Sequence, residues 1–537
     1  MATFTPVARA PGRSGARTPA PPAWLVGAGV VVALLGVLPV AYLVIVAGGN
    51  AEQAAELLLR DRTLGVLGRT LLLAGTVTLA SVFIGVPMAW LTARSDLPGR
   101  RWWTVLGVLP LVVPSYVGGY AVVAAFGPRG ALQSLLEPLG IERLPELYGF
   151  PGAALALTLF SYPYVVLSVR GALLRLDPAY EEVGRSLGRG PWRTFVDVTL
   201  PQLRPAVTAG ALLVALYSLA DFGAVSLLQF DSFTRAIYVQ YRASFDPTLA
   251  AVLALMLVAC TAAVLLAESR LRGRARYHRS GGGARRPAPV VRLGGWRWPA
   301  LAFCGLVVGL AVVVPLGTIL FWLGRGLAAG ESFNLVLGAT LNSVLASGLA
   351  AALAVVASLP VAILAVRHRG AIGQLVERAT YAGFALPGIV IGLAFVFVAA
   401  RWLPAIYQTL PLLLIAYLVR FAPEAVGVTR ASLLQVSPRI EEVARTLGRR
   451  PSAVLREVTV PIIRPGLLAG GALVFLTAMK ELPTTILLAP TGFDTLAVRI
   501  WSATSEGFFA RAAGPALLMM LVAALSLGFV LRGDRDR

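Results

Sequence analysis

Lysine is almost missing from this chain: Lys480 stands alone among 47 basic side chains. Met479 rather than glycine precedes it, so the chain carries no Walker A phosphate-binding loop of its own. Histidine is nearly as scarce. His278 and His368 sit among arginines in separate polar segments, which excludes a histidine metal cluster. Cys260 and Cys304 lie inside apolar stretches and form no CxxC pair, so they read as packing residues, with no disulfide and no metal site. Charge as a whole is thin: 14% of the 537 residues, with 57% hydrophobic, against about 25% charged in an ordinary soluble domain. No apolar run shows the alternation of a porin strand. What remains is a set of helices in a bilayer, each needing about 20 apolar residues to cross.

The formal net charge of +21 is distributed rather than pooled. Arginine clusters fall on alternate loops, the positive-inside pattern, so the basic excess implies membrane topology and no nucleic-acid partner. Residues 1–22, rich in Pro, Ala and Arg, read as a disordered cytoplasmic tail. Ala23–Ala47 follows Arg9, Arg13 and Arg17 in the outline of a signal peptide, but its length and the many later spans make it an uncleaved first helix. Further spans are expected near 64–92, 103–126, 152–174, 205–228 and 248–267, then 298–323, 338–366, 378–400, 408–431, 465–488 and 512–532. Loops 127–151 and 229–247, with Glu137, Glu142, Glu146, Asp231 and Asp246, should face outward. Residues 268–297 hold nine arginines around Gly281-Gly282-Gly283 and read as a flexible basic cytoplasmic linker that fixes topology or touches lipid headgroups. Residues 533–537 leave the C-terminus inside.

One stretch occurs twice. Leu176–Phe222 and a copy beginning at Val436 align at a shift of 260, which carries Pro178 to Pro438, Glu181 to Glu441, Gly188 to Gly448, Pro191 to Pro451 and Pro201 to Pro461. Each copy predicts a short helix capped at Asp177 or Ser437 and stopped at Gly188 or Gly448. A second helix should follow from Pro191 or Pro451 and break before Pro201 or Pro461, and an apolar run then enters the membrane. Tyr180, Val183 and Leu187 share one face of the first helix, a surface suited to a partner's groove. Outside this stretch, the five residues from Leu67 resemble those from Leu337, with four identical, and Pro114 and Gly119 match Pro387 and Gly392 at a shift of 273. Six spans per half is an even number, so both halves cross in the same direction, a parallel repeat with a pathway on its pseudo-twofold axis.

Glu182-Val183-Gly184, Gly188, Val198 and Leu200-Pro201 resemble the EAA loop of ABC importer permeases. Glu442-Val443-Ala444, Gly448, Val458 and Val460-Pro461 repeat it. The chain as a whole resembles the fused iron(III) branch of that family, through SYPYV at Ser161, ADFG at Ala220 and the run MKELPTTILLAPTGFDTLAVRIW from Met479. The resemblance implies an all-α membrane protein of about twelve transmembrane helices in two six-helix halves, 23–267 and 298–532, with EAA loops at 176–201 and 436–461. It implies a bacterial inner-membrane permease that binds no cofactor and hydrolyses nothing. Its partners would be two copies of an ATPase that binds ATP and Mg²⁺, and a periplasmic or lipid-tethered iron-binding protein. Glu181, Glu182 and Gly188, with Glu441, Glu442 and Gly448, are the implied ATPase-coupling residues. Fused thiamine permeases share the layout, polyamine, sulfate and phosphonate permeases share the loop, and a proton-coupled carrier with two six-helix halves is the rival from another class.

Asp221 and Glu481 are equivalent by the 260 shift and lie in apolar surroundings, where an ionisable group is costly. Two readings stand side by side: carboxylates that attract or ligate a trivalent cation at an outer vestibule, or acids that hold a neighbouring helix or simply reach the outer interface. Tyr162, with Tyr116, Tyr120 and Tyr164, would supply further oxygens or act as an interfacial anchor.

Overall fold

The computed structural model describes residues 21–127, 130–140, 147–177, 179–243, 247–272, 290–331, 334–368, 370–383 and 386–533. The tail over 1–20, Pro178, Glu142, Glu146, Asp246, the linker residues 273–289 and residues 534–537 lie outside them. Among the described residues the chain is helical but for turns and one extended pairing, Ser95 with Val291.

The first half runs α1 (Ala23–Gly49), α2 (Asp61–Arg94), α3 (Arg100–Val108), α4 (Ser115–Phe126), α5 (Phe150–Leu173), α6 (Ala179–Ser186), α7 (Leu200–Ala220), α8 (Gly223–Leu227), α9 (Phe233–Ala243) and α10 (Pro247–Arg272). The second repeats this order: α11 (Gly294–Ala328), α12 (Asn334–Arg367), α13 (Ala371–Ala382), α14 (Gly388–Trp402), α15 (Leu410–Gln435), α16 (Pro438–Thr446), α17 (Val460–Met479), α18 (Pro483–Leu488), α19 (Leu496–Ser505) and α20 (Phe509–Gly533). The linker expected over 268–297 is shorter than its composition suggests, because α10 continues to Arg272 and α11 starts at Gly294.

Nine described helices are long and apolar enough to cross a bilayer, or ten if one bent pair counts as a span. The expected twelve continuous spans are therefore not present as such. The run 103–126 is broken: the segments on either side of Pro114 meet at 97°. Proline removes an amide and drives the preceding residue out of the helical region, and Val113 accordingly has ψ 121°. Pro387 stands in the same place before α14, again with extended backbone, so 378–400 is not one helix either. The fifth runs also end early, at Ala220 and Met479 rather than at 228 and 488.

Each half is built on a trio of packed helices, α2, α5 and α7 or α12, α15 and α17. Small residues allow the approach. A Cβ at Gly85 or Gly210 would fall 2.7 or 2.8 Å from atoms of Val165, so α5 is gripped from both sides. The halves exchange their first helices: α1 lies against α12, α13 and α14, and α11 against α2, α3 and α4. Trp322 donates to the Ala124 carbonyl at 3.1 Å and Tyr120 to that of Phe509 at 3.0 Å, sealing the exchange.

The repeat in α2 and α12 keeps the 273 register. Thr70 accepts the Phe233 amide at 3.0 Å and Ser343 that of Leu496 at 2.8 Å, and Pro87 and Pro360 share the same shift. The sequence match of Leu67 with Leu337 is thus three residues out of structural register.

Candidate functional site

The two EAA-like loops have nearly the same geometry. At the end of α6 the Arg189 amide donates to the Gly184 carbonyl at 3.2 Å and that of Gly188 to Arg185 at 3.0 Å. After α16, Arg449 donates to Ala444 at 3.2 Å and Gly448 to Arg445 at 3.0 Å. This closure needs a left-handed residue, and Gly188 and Gly448 take φ 79° and 81°. A Cβ would meet nothing within 4 Å at either, so Gly188→Ala with Gly448→Ala will cost only the backbone term, about 1–2 kcal/mol each. The expected result is faster hydrogen exchange at the Arg189 and Arg449 amides with the rest of the bundle unchanged.

The following helix does not break at Pro201 or Pro461, contrary to the expectation from proline alone. Phe195–Thr199 and Leu455–Thr459 form a π turn in each half. The Leu200 amide reaches the Phe195 carbonyl five residues back, and Val460 reaches Leu455. That wider turn removes the clash a proline ring makes with an α-helical carbonyl, so each loop runs into its long membrane helix without a joint.

The π turns also aim Thr199 and Thr459 at the loop glutamates. Glu181 and Glu441, each 6% exposed, point inward. Glu441 Oε1 accepts from Arg367 Nε at 3.1 Å and Nη2 at 2.9 Å and from Thr459 Oγ1 at 3.2 Å. Arg367 Nη2 donates also to the Val436 carbonyl at 3.0 Å. Glu181 Oε1 accepts from Thr199 Oγ1 at 3.1 Å, while Arg94 Nη2 approaches to 3.5 Å. Arg94 is 2% exposed, and its guanidinium nitrogens make no hydrogen bond. Each loop is therefore latched to the end of α2 or α12, tightly in the second half and loosely in the first. Sequence reasoning missed Arg94 and Arg367, which fall among the inner-loop arginine clusters that it assigned to membrane topology. The signal was there: both sit seven residues beyond the matched Pro87 and Pro360.

Glu182 and Glu442 face out, beside an apolar strip of Tyr180 and Val183 on α6 with Leu187 just past its end, and of Ile440, Val443 and Leu447 at the second loop. Leu187 is 73% exposed and Leu447 78%. Large apolar side chains held open at equivalent places on two helices make a surface for another protein.

Asp221 and Glu481 are brought to equivalent positions as helix caps. Asp221 Oδ1 accepts the Ala224 amide at 3.0 Å and that of Val225 at 3.3 Å, and bonds also to Ser115. Glu481 Oε1 accepts Thr484 Oγ1 at 2.7 Å and its amide at 3.2 Å. The longer Glu481 is matched by a smaller partner: Gly388 stands where the first half has Ser115, and a Cβ there would come within 2.3 Å of Glu481 Oε1. Because an amide oxygen caps as a carboxylate does, Asp221→Asn will leave thermal stability in detergent nearly unchanged. Asp221→Ala will lose about 1 kcal/mol.

Tyr162 is fully buried and its hydroxyl has no hydrogen-bond partner, with the Cys304 thiol its neighbour. Tyr116 and Tyr120 are committed across the half–half seam, the first to Met519 Sδ at 2.8 Å and the second to Phe509. On the side of the bundle away from the loops, a cavity of about 330 Å³ lies between the halves, lined by Tyr238, Tyr241, Arg242, Ile486, Leu487 and Trp501 among others.

Two stretches of the chain, residues 81–277 and 354–533, match the family described as binding-protein-dependent transport system inner membrane component. The chain is 35% identical over 516 residues to the Fe(3+)-transport system permease protein FbpB 2 of Haemophilus influenzae, covering 95% of this chain and 98% of that protein. It is 25% identical over 508 residues to the ferric transport system permease protein FbpB of Actinobacillus pleuropneumoniae, 90% of this chain and 73% of that one. The sulfate transport system permease protein CysT of Escherichia coli matches at 30% over 250 residues, 45% of this chain and 89% of its own length. With two matched domains, two latched loops and a relative along nearly its whole length, this chain belongs to the family of binding-protein-dependent transport inner-membrane components, as a multi-pass permease carrying both copies of the unit in one polypeptide.

Proposed function

We propose that this permease carries iron(III) inward across the bacterial inner membrane, drawing on two copies of an ATPase and on a periplasmic or lipid-tethered binding protein. The observation that carries the cargo is the 35% identity along 95% of the chain to a permease named for Fe(3+) transport. Support for two ATPase copies comes from the two loops, which present the same exposed apolar face and outward glutamate. Closing the ATPase pair around ATP draws α6 and α16 together. The latches and the unbroken helices through the π turns pass that movement to α7 and α17, which open the pathway outward. On this reading each broken third segment and the helix from Phe509 also cross, the count reaches twelve, and both termini lie in the cytoplasm. The halves then divide between α10 and α11, with the shortened basic linker joining them.

Glu182 and Glu442 make charge-assisted bonds to basic residues of the ATPase. Glu182→Ala with Glu442→Ala will leave membrane insertion intact and abolish coupled uptake. The cargo is tested by ATP-dependent uptake of radiolabelled iron into vesicles holding the whole transporter, with thiamine, spermidine, sulfate and molybdate as competitors. Uptake of iron that none of them reduces is the expected result. Competition by any one transfers the assignment to that solute.

A further inference from the structure

The two halves differ chemically at one level of the membrane. At the 260 shift Tyr164 on α5 corresponds to Glu424 on α15, Tyr217 on α7 to Thr477 on α17, and Ala220 to Lys480. In the first half the rings of Tyr164 and Tyr217 lie 5.8 Å apart at 50°. In the second, Thr477 Oγ1 donates to Glu424 Oε2 at 3.0 Å. Lys480 reaches over to the first half, its Nζ donating to the Leu111 carbonyl at 3.4 Å, in the turn before the Pro114 break. Glu424 lies in the field of Lys480, Arg420 and Glu481, and Tyr164 in the field of Glu424. Arg420 is spoken for by the Leu386 carbonyl at 2.5 Å.

Glu424 thus lies near enough to Tyr164, across the junction of the halves, for its charge to act on the phenol. Although α5 and α15 are the most enclosed spanning helices, at 72% and 67% buried, these two side chains, with Tyr217, Thr477 and Lys480, are only partly covered. Tyr217 is twelve residues beyond Pro205, about 18 Å along the helix and near the middle of a ~30 Å apolar layer. An acid and an ammonium at that depth are costly to keep and mark a path for charge. One carboxylate with two phenols is a hard-oxygen set, suited to a hard multivalent cation and poorly suited to an oxyanion.

We propose that Glu424, Tyr164 and Tyr217 form a mid-membrane transit site for a hard trivalent cation, with Lys480 as the resident counter-charge that the cation displaces. Displacement frees Lys480 from the turn before Pro114, so arrival of cargo loosens a tie between the halves. The proposal rests on the metal-cargo reading above and goes beyond it in naming the ligands.

Two measurements test it on the full chain. In vesicles holding permease, ATPase and binding protein, Glu424→Gln and Tyr164→Phe are expected to lower iron uptake tenfold or more while the ATPase still copurifies. In nanodiscs, permease titrated with ferric nitrilotriacetate should develop a phenolate-to-iron charge-transfer band that Tyr164→Phe with Tyr217→Phe abolishes and Lys480→Met strengthens. Wild-type uptake by Glu424→Gln, or no band in either wild type or Lys480→Met, overturns the proposal. If wild-type vesicles take up no iron, the cargo reading fails separately, and the absorbance titration, which needs no transport, still decides the site.

Discussion

Arg367→Ala will strip this permease of ATP-driven uptake while leaving it in the membrane, and Arg94→Ala will do so less completely. Removing Arg367 deletes two hydrogen bonds to Glu441 and one to Val436 and leaves a carboxylate that is 6% exposed with only Thr459 Oγ1 at 3.2 Å and Arg445 at 3.7 Å. Breaking one side of a buried pair typically costs about 3–5 kcal/mol, because the remaining charge has lost its compensation. The loop then detaches from α12 and a push on it no longer reaches the bundle. Arg94 holds Glu181 only at 3.5 Å, without a hydrogen bond, so its loss takes less from its latch than the loss of Arg367 takes from the other. Arg367→Ala with Glu441→Gln separates stability from coupling: removing the stranded charge should recover much of the lost thermal stability and none of the uptake. Equal effects of the two arginine changes, or recovery of uptake in the double variant, would count against the latch.

Leu187→Asp with Leu447→Asp will abolish retention of the ATPase. Each leucine projects from the end of a loop helix at more than 70% exposure, the position of an anchor that a partner's groove must cover. Anchors of that kind typically carry about 2 kcal/mol or more of binding each. That is roughly a thirtyfold loss in affinity per site, and the aspartate adds the cost of burying a charge. The single variants should retain ATPase weakly, and the double variant none, with the permease itself unfolding at the wild-type temperature because neither leucine packs within the chain. Retention of ATPase by the double variant would show that the apolar strip is not the docking face.

Local chemistry made much of this legible in advance. The loop helices, their glycine ends and the exposed strip at Tyr180, Val183 and Leu187 follow from short-range rules of capping and periodicity, and those hold in the fold except at Ser437, which takes the N-cap place without a side-chain bond, whereas Asp177 Oδ1 accepts the Ala179 amide at 3.0 Å. Proline was read correctly in kind and wrongly in place. Pro201 and Pro461 do not break their helices because a π turn absorbs the ring, whereas Pro114 and Pro387 break runs that look continuous by hydropathy. Neither outcome is a property of the proline alone, since each depends on hydrogen bonds that neighbouring turns make or give up. Side-chain pairing across long separations was hidden for a related reason. Arg367 and Glu441 are 74 residues apart, and charge at the end of a span looks the same whether it faces lipid headgroups or a buried acid. The capping roles of Asp221 and Glu481 are likewise hidden in hydropathy, which runs on through α8 and α18 as if they were the tails of α7 and α17.

On the proposed reading both loops are handles for one ATPase each, and the native mass of the complex extracted from membranes with its partners decides it. Two ATPase subunits on a single permease chain, falling to one when Leu187→Asp or Leu447→Asp is introduced alone, is the expected result. A complex that holds one ATPase or none in the wild type, or that keeps both after either substitution, would contradict the account.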